Sequence, residues 1–93
     1  MIKGFKCTDT QKLYETGKSA RFSAIAKVAT RKLTQLATAA TLEFLRSPPG
    51  NNLEALVDDR EGQHSIRVNK KWRICFVWTE AGPEDVEIGD YHY

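Results

Sequence analysis

The hydrophobic pattern of this 93-residue chain changes period at the sequence Pro48-Pro49-Gly50. Before it, segment 22–40 repeats apolar residues at the 3.6-residue spacing of an amphipathic helix. A shorter helix is predicted over 9–16, where Gly17 supplies a C-terminal stop. After the break, apolar residues alternate at period two, which predicts strands. The sequence therefore predicts an α+β fold.

Four segments are predicted to be strands. Residues 2–7 alternate near the N-terminus, and "HSIRVN", "WRICFVW" and "EDVEIGDY" follow the break. The last three are joined by "KK" and "TEAGPE", which are short enough for antiparallel hairpins. We expect an N-terminal strand and helices packed on one face of a small antiparallel sheet, with residues 1–93 forming a single domain.

Side-chain orientation follows from the same periods. Lys27, Arg31 and Lys32 are predicted to face away from the core on the long helix. Trp72 and Trp78 alternate with buried positions of the central strand, so we interpret them as core residues. Base-stacking platforms are the alternative.

Composition places the chain among ordinary globular proteins, with 41% hydrophobic and 28% charged residues. We expect no secretory signal, because "MIKGF" is followed by charged residues, and no apolar run reaches the ~18 residues that a membrane span needs. Cys7 and Cys75 lack a metal-type spacing, so we expect free thiols and a cytoplasmic location.

Charge is divided unevenly along the chain. Residues 1–50 hold nine Lys and Arg against three Asp and Glu, whereas residues 51–93 hold five against nine. A basic first half indicates an anionic partner, such as RNA or an acidic protein surface. A solvated helix face is the alternative.

Several enzyme classes lack their sequence signatures. The chain has no phosphate-binding loop, no dinucleotide-binding glycine pattern and no nucleophile elbow. Among enzyme chemistries, these absences leave acid–base catalysis by side chains.

Basic residues gather on the predicted hairpin. Arg67 and Arg73 lie on adjacent strands and are expected to point out of the same sheet face. Arg73 has two interpretations, an ion pair with Glu87 or Asp90 or a guanidinium directed at a phosphate.

Three further basic residues have two interpretations as well. Lys70 and Lys71 are either a solvated turn or, together with Arg60, a clamp for a nucleic-acid backbone.

The chain ends in "GDYHY", which concentrates titratable groups. His92 can exchange a proton near neutral pH, and Asp90 shares its strand face. Tyr91 points the other way unless the strand ends at Asp90. A metal site from His64, Asp90 and His92 is conceivable, but the spacing matches no recognised ligand set. We expect no metal and no cofactor, and His64 is otherwise a half-exposed residue at the start of a strand.

Three stretches, "MIKGF", "DREGQHSIRVNKKWRICF" at 59–76 and the final "DYHY", resemble the HigB toxins of the RelE superfamily of type II toxin–antitoxin systems. The resemblance implies a ribosome-dependent endoribonuclease that cuts mRNA in the ribosomal A site without a metal. It also implies a HigA-type helix-turn-helix antitoxin as partner, with operator DNA contacted only through that antitoxin.

The resemblance also implies site residues. Arg73, Asp90, Tyr91 and His92 fall on the family's catalytic positions. Glu54 stands where relatives have histidine and Val57 where they have lysine, which makes Glu54 a possible accessory catalytic group. A strand arginine of some relatives is Asn69 here.

Four basic residues are the expected contacts with RNA or the ribosome: Arg60, Arg67, Lys70 and Lys71. A different function remains open, because ParE-like relatives of the same architecture poison DNA gyrase. A catalytically weak binding module of this fold is a further alternative.

Overall fold

The computed structural model describes residues 1–90, in which two helices cover one face of a four-stranded antiparallel sheet. The elements are α1 (Thr8–Thr16), α2 (Ala26–Thr38), β1 (Glu54–Ala55), β2 (His64–Arg67), β3 (Arg73–Thr79) and β4 (Gly82–Gly89). The sheet order is β1-β2-β3-β4. The predicted α+β class and the antiparallel meander are confirmed.

Both predicted helices are present. Gly17 ends α1 in a left-handed conformation, φ 76°, and its N–H donates to the Leu13 carbonyl at 2.8 Å, as the C-terminal stop requires. The longer helix is preceded by a 3₁₀ turn over Ser23–Ile25. Within residues 1–90, no helix is both long and apolar enough to cross a membrane.

The core lies between the helices and the sheet. Residues of β2, β3 and β4 that point toward the helices are buried against apolar residues of α1 and α2. Trp72 and Trp78 pack against this cluster, and the Trp72 ring meets Phe22 edge-on at 5.4 Å. The two tryptophans therefore belong to the core, as predicted.

One lysine of α2 contradicts the predicted orientation. Lys32 was expected to face away from the core with Lys27, yet its residue is only 4% exposed, whereas Lys27 is exposed. Its Nζ donates to Asn51 Oδ1 at 2.6 Å, and Asn51 comes from the loop after Pro48-Pro49-Gly50. Because this partner is distant in sequence, the helical period alone could not reveal it.

A β-bulge in β4 aligns two buried residues. Pro83 and Val86 are both buried although they are three positions apart, a spacing that would place them on opposite faces of a regular strand. Asp85 has φ 51° and adds the extra residue. Beyond it the regular alternation resumes toward Gly89.

The predicted strand over 2–7 forms a single bridge, Phe5 to Val86, running parallel to β4. Lys3 N–H donates to the Pro83 carbonyl at 2.7 Å, and Val86 exchanges two hydrogen bonds with Gly4 and Lys6. The β4 positions that bond to the N-terminal segment, Pro83 and Val86, are three residues apart because of the bulge. A regular ladder bonds every second residue of a strand, so it cannot continue here. The N-terminal segment nevertheless covers the outer edge of β4.

The end of β4 is held by a side chain of α1. Thr10 is fully buried, and its Oγ1 accepts the Ile88 N–H at 3.0 Å. Ile88 precedes the residue that pairs with Arg73 on β3. The hydroxyl therefore fixes the strand end next to Arg73.

Replacing Thr10 by valine keeps the shape but leaves the buried Ile88 N–H without its acceptor. We expect the free energy of unfolding to fall by about 1–3 kcal/mol in urea titrations. Thr8→Val, at an exposed position of the same helix, should change it by less than ~0.5 kcal/mol. Equal stability of the two variants would contradict this role.

A small buried patch lies on the opposite face of the sheet. Ser65 and Cys75 are cross-strand partners and both are 0% exposed. Glu87, the next partner of Cys75, forms a 2.9 Å ion pair with Arg60 from the preceding 3₁₀ turn. Burial raises the pKa of the Cys75 thiol to about 11.

The raised pKa of Cys75 predicts loss of stability in alkaline solution. Above pH ~9 the unfolded chain releases the thiol proton while the native chain retains it, so the native state binds more protons. The free energy of unfolding should fall by ~1.4 kcal/mol per pH unit from this group, up to a pH of about 11. Cys75→Ala should lose this part of the slope, measured by urea titration at each pH.

Cys75→Ser, which also lacks the titrating thiol, should lose the same part of the slope. Identical pH dependence of wild type and Cys75→Ala would contradict the assignment.

Candidate active site

The sheet face opposite the helices, called here the open face, carries Glu54, Ser65, Arg67, Arg73, Cys75 and Glu87. Cross-strand pairing places these side chains together, because partners in an antiparallel sheet share a face. Arg67 and Arg73 are direct partners across β2 and β3. The structure thus brings together the two strand arginines that the sequence indicated.

Arg73 is held along one side of its guanidinium group. Its side chain is 12% exposed, Nε donates to Ser65 Oγ at 2.7 Å, and Nη2 donates to the Asn52 carbonyl at 2.7 Å. Nη2 also lies 3.3 Å from the Ser65 carbonyl. Within residues 1–90, Nη1 has no hydrogen-bond acceptor, so the described contacts hold the guanidinium along its Nε–Nη2 side.

Glu54 is the carboxylate beside Arg73. Its Oε2 lies 3.9 Å from Arg73 Nη2, and its side chain is 52% exposed. The sequence indicated Glu87 and Asp90 as ion-pair partners for Arg73. Glu87 forms an ion pair with Arg60. Asp90, the other, is exposed. The possible accessory residue Glu54 thus lies at the site, whereas Val57 is an exposed apolar residue.

Arg67 carries an unneutralised charge on the open face. Its Nε donates to the Asn69 carbonyl at 3.1 Å, and within residues 1–90 it forms no ion pair. Its backbone N–H donates to the Asn51 carbonyl at 2.6 Å. A half-buried guanidinium with free donors is suited to an anionic ligand.

The turn between β2 and β3 exposes Lys70 and Lys71 beside the two arginines. Asn69 Oδ1 accepts the backbone N–H groups of Lys71 and Trp72, each at 2.8 Å, and this shapes the turn. Lys71 Nζ lies 5.1 Å from the centre of the Trp72 ring. Asn69 therefore organises the turn, while the lysines extend the positive surface.

Arg60 reaches the open face from the 3₁₀ turn Asp58–Arg60. Its Nη1 donates to Glu87 Oε1 at 2.9 Å and to Gln63 Oε1 at 3.1 Å. This basic residue therefore has an ion-pair partner, whereas within residues 1–90 Lys70 and Lys71 form no ion pair.

The C-terminal candidates follow β4. Gly89 is the direct partner of Arg73, and Asp90 is the next residue along the chain. Tyr91 and His92 lie outside the described residues.

His64 lies on the other side of the sheet from the arginines. Its ring stacks on its cross-strand partner Phe76 in the core, with centroids 6.3 Å apart. Burial, and next the charge of Arg46, lowers the pKa of His64. Within residues 1–90, no group of three or more His, Cys, Asp or Glu side chains is placed to hold a metal ion. His92, the third member of the conceivable metal set, lies beyond these residues.

Sequence reasoning missed two contacts of Arg73. Ser65 was placed on the polar face of β2, but nothing indicated that its hydroxyl would accept from Arg73. The Asn52 carbonyl was not anticipated either. The only signal was the Gly-Asn-Asn sequence at 50–52, since asparagine and glycine tolerate the positive φ that Asn52 adopts, 44°.

Solved structures with a similar fold include two of YoeB from Staphylococcus aureus. A YoeB–YefM complex aligns with a TM-score of 0.61 at 17% identity, covering 100% of this chain and 99% of that one. A YoeB dimer aligns with a TM-score of 0.62 at 18% identity, covering 99% and 95%. At this identity the likeness shows the fold alone.

Sequence relatives show the family. Toxin HigB-1 of Vibrio cholerae serotype O1 is 40% identical over 95 residues, covering 100% of both chains. An uncharacterized protein of Haemophilus influenzae is 33% identical over 67 residues, covering 72% of this chain and 66% of its own. A family model described as the RelE-like toxin of the type II toxin–antitoxin system HigB matches residues 3–92. With the open face and the RelE-type fold, these matches establish that the chain belongs to the HigB-like toxins of the RelE superfamily.

Proposed function

We propose that this toxin is a ribosome-dependent endoribonuclease that cleaves mRNA in the ribosomal A site. The observation that carries the proposal is the guanidinium of Arg73. It is fixed through Nε and Nη2, its Nη1 has no acceptor within residues 1–90, and it lies opposite Gly89, which leads into Asp90-Tyr91-His92. A fork held in this way suits a phosphate group.

RNA supplies its own nucleophile, so the chemistry needs few protein groups. The 2′-OH loses a proton and attacks the adjacent phosphorus. A bond forms between the 2′-oxygen and phosphorus, the bond to the 5′-oxygen breaks, and that oxygen takes up a proton. Each positioned proton transfer contributes about 10²–10⁴-fold to the rate. No metal or cofactor is needed for these steps.

Arg73 would stabilise the charge that develops on the phosphoryl oxygens, through the donors of Nη1. His92 is the proposed general base or acid, because imidazole exchanges protons near neutral pH. Asp90 would orient that imidazole or act as the base, and Tyr91 would position the phosphate or transfer a proton. Glu54, 3.9 Å from Arg73, is the proposed accessory carboxylate.

Affinity for RNA would come from the basic residues at the rim of the open face. Arg67, Lys70 and Lys71 form no ion pair within residues 1–90, so they can contact phosphates without first breaking one. Arg60 would have to share its guanidinium with Glu87. Such contacts position a nucleic acid without reading its sequence.

The ribosome would provide what a small toxin lacks. Single-stranded RNA must be splayed before the 2′-OH lines up with the leaving oxygen. The ribosome already holds the codon, so the toxin itself needs to supply only the groups for proton transfer and charge stabilisation.

An antitoxin is the partner that the family implies, and we propose a HigA-type helix-turn-helix protein. The YoeB–YefM complex supports a protein partner, because a chain of this fold is held there in a complex with a second protein. Operator DNA would be contacted only through that antitoxin.

Expression of the chain in cells, followed by mapping of mRNA 5′ ends, tests the proposal. We expect codon-phased cuts within translated regions for the wild type. Arg73→Ala should lower cleavage of ribosome-bound mRNA about 10²–10³-fold, because one charge-stabilising donor group is lost. Its cosedimentation with ribosomes should stay near the wild-type level.

Arg46→Ala is the matched control, since Arg46 is exposed and paired with Glu43 away from the open face. Lost cosedimentation of Arg73→Ala would make Arg73 a docking residue. A DNA-damage response without mRNA cuts would overturn the proposal and indicate a toxin that poisons DNA gyrase.

Removal of His92 and Tyr93 separates the terminal residues from the rest of the fold. We expect the shortened chain to lose growth inhibition while it still folds and binds its antitoxin, because the described contacts of the core end at Ile88. Growth assays, circular dichroism and co-purification with the antitoxin measure the three properties. Toxicity at the wild-type level in this truncation would remove His92 from the site.

A further inference from the structure

Lys32 is a buried lysine that has no carboxylate partner in the described part of the chain. It is 4% exposed, and Nζ donates to the neutral amide oxygen of Asn51 at 2.6 Å. Within residues 1–90 it forms no ion pair. Burial, followed by the charges of Arg31 and Arg67, lowers its pKa. An apolar side chain would avoid this desolvation, so overall stability does not account for the lysine.

The side-chain amide that Lys32 contacts makes three hydrogen bonds. Asn51 is fully buried, and its Nδ2 donates to the Leu45 carbonyl at 3.1 Å and to Gln35 Oε1 at 3.3 Å. Its own backbone carbonyl accepts the Arg67 N–H. We call Lys32, Gln35, Leu45 and Asn51 the Asn51 cluster. It fixes the backbone of the loop at Asn51.

The next residue carries this constraint to the site. Asn52 is exposed and has φ 44°. Its backbone carbonyl accepts from Arg73 Nη2 at 2.7 Å. The Asn51 cluster and the Arg67 N–H hold the peptide between Asn51 and Asn52, and from that peptide the φ and ψ of Asn52 set the direction of its carbonyl.

We propose that Lys32 is a positioning residue for Arg73. By holding Asn51 it sets the Asn52 carbonyl, and that carbonyl together with Ser65 holds the Nε–Nη2 side of the guanidinium so that Nη1 stays open. The arrangement of Arg73 stands on the contacts alone, whereas its consequence for cleavage rests on the proposed function. A small misplacement of a charge-stabilising group lowers the rate sharply.

The test variant is Lys32→Met, which keeps the length and removes the donor. In NMR spectra of the free toxin, we expect the Arg73 Nε–H resonance, assigned by its absence in Arg73→Lys, to shift and to lose protection against hydrogen exchange. Single-turnover cleavage of ribosome-bound mRNA should fall about tenfold to a hundredfold, with unchanged ribosome affinity. Lys27→Met, at an exposed position of the same helix, should change neither quantity.

An unshifted, protected Arg73 resonance in folded Lys32→Met would overturn the proposal. If the wild type does not cleave ribosome-bound mRNA, the proposed function fails, and the Arg73 resonance still decides whether Lys32 positions Arg73.

A second pair of variants serves if Lys32→Met does not fold. Asn52→Val disfavours positive φ and should turn the carbonyl away, with the same shift and loss of protection at Arg73. Asn52→Gly accepts positive φ and should leave the Arg73 resonance in place. An identical Arg73 resonance in both Asn52 variants would overturn the proposal.

Discussion

The direct pairing of Arg67 with Arg73 across β2 and β3 is the constraint on which the arrangement of the open face depends. Like charges opposite each other in a sheet repel, so each guanidinium needs acceptors that draw it away from the other. Arg67 bonds to the Asn69 carbonyl in the hairpin turn, and Arg73 bonds to the Asn52 carbonyl in the loop before β1. These acceptors draw the two guanidinium groups apart to separate positions on the open face.

Polar groups inside this small domain are concentrated around that pair. Among residues 1–90 the buried polar residues are Thr10, Ser19, Lys32, Asn51 and Ser65. Four of them contact the backbone or side chains of Arg67, Arg73 or the end of β4, either directly or through one intervening residue. Buried hydrogen bonds contribute little net stability but define a single geometry. Their placement here favours an ordered site over a larger apolar core.

Local patterns foretold the elements but not the contacts between distant segments. Period alone predicted both helices and the meander, and the short hairpin predicted that Arg67 and Arg73 share a face. The bulge at Asp85 escaped prediction because it depends on fitting Pro83 and Val86 into one core. Lys32 was placed on the wrong side because its partner lies in a loop beyond the helix. The "DYHY" ending was singled out from residue chemistry and family resemblance, and its catalytic role remains a prediction.

The contact between Thr10 and Ile88 joins residues 78 positions apart, and the bonds of residues 3–6 to β4 span a similar distance. During synthesis the N-terminal segment and α1 are made before β4. The outer edge of β4 and the residues that cover it can therefore meet only after β4 has been made. Until then Arg73 has β2 beside it but not β4, so the open face is completed only after residues 1–89 have been translated.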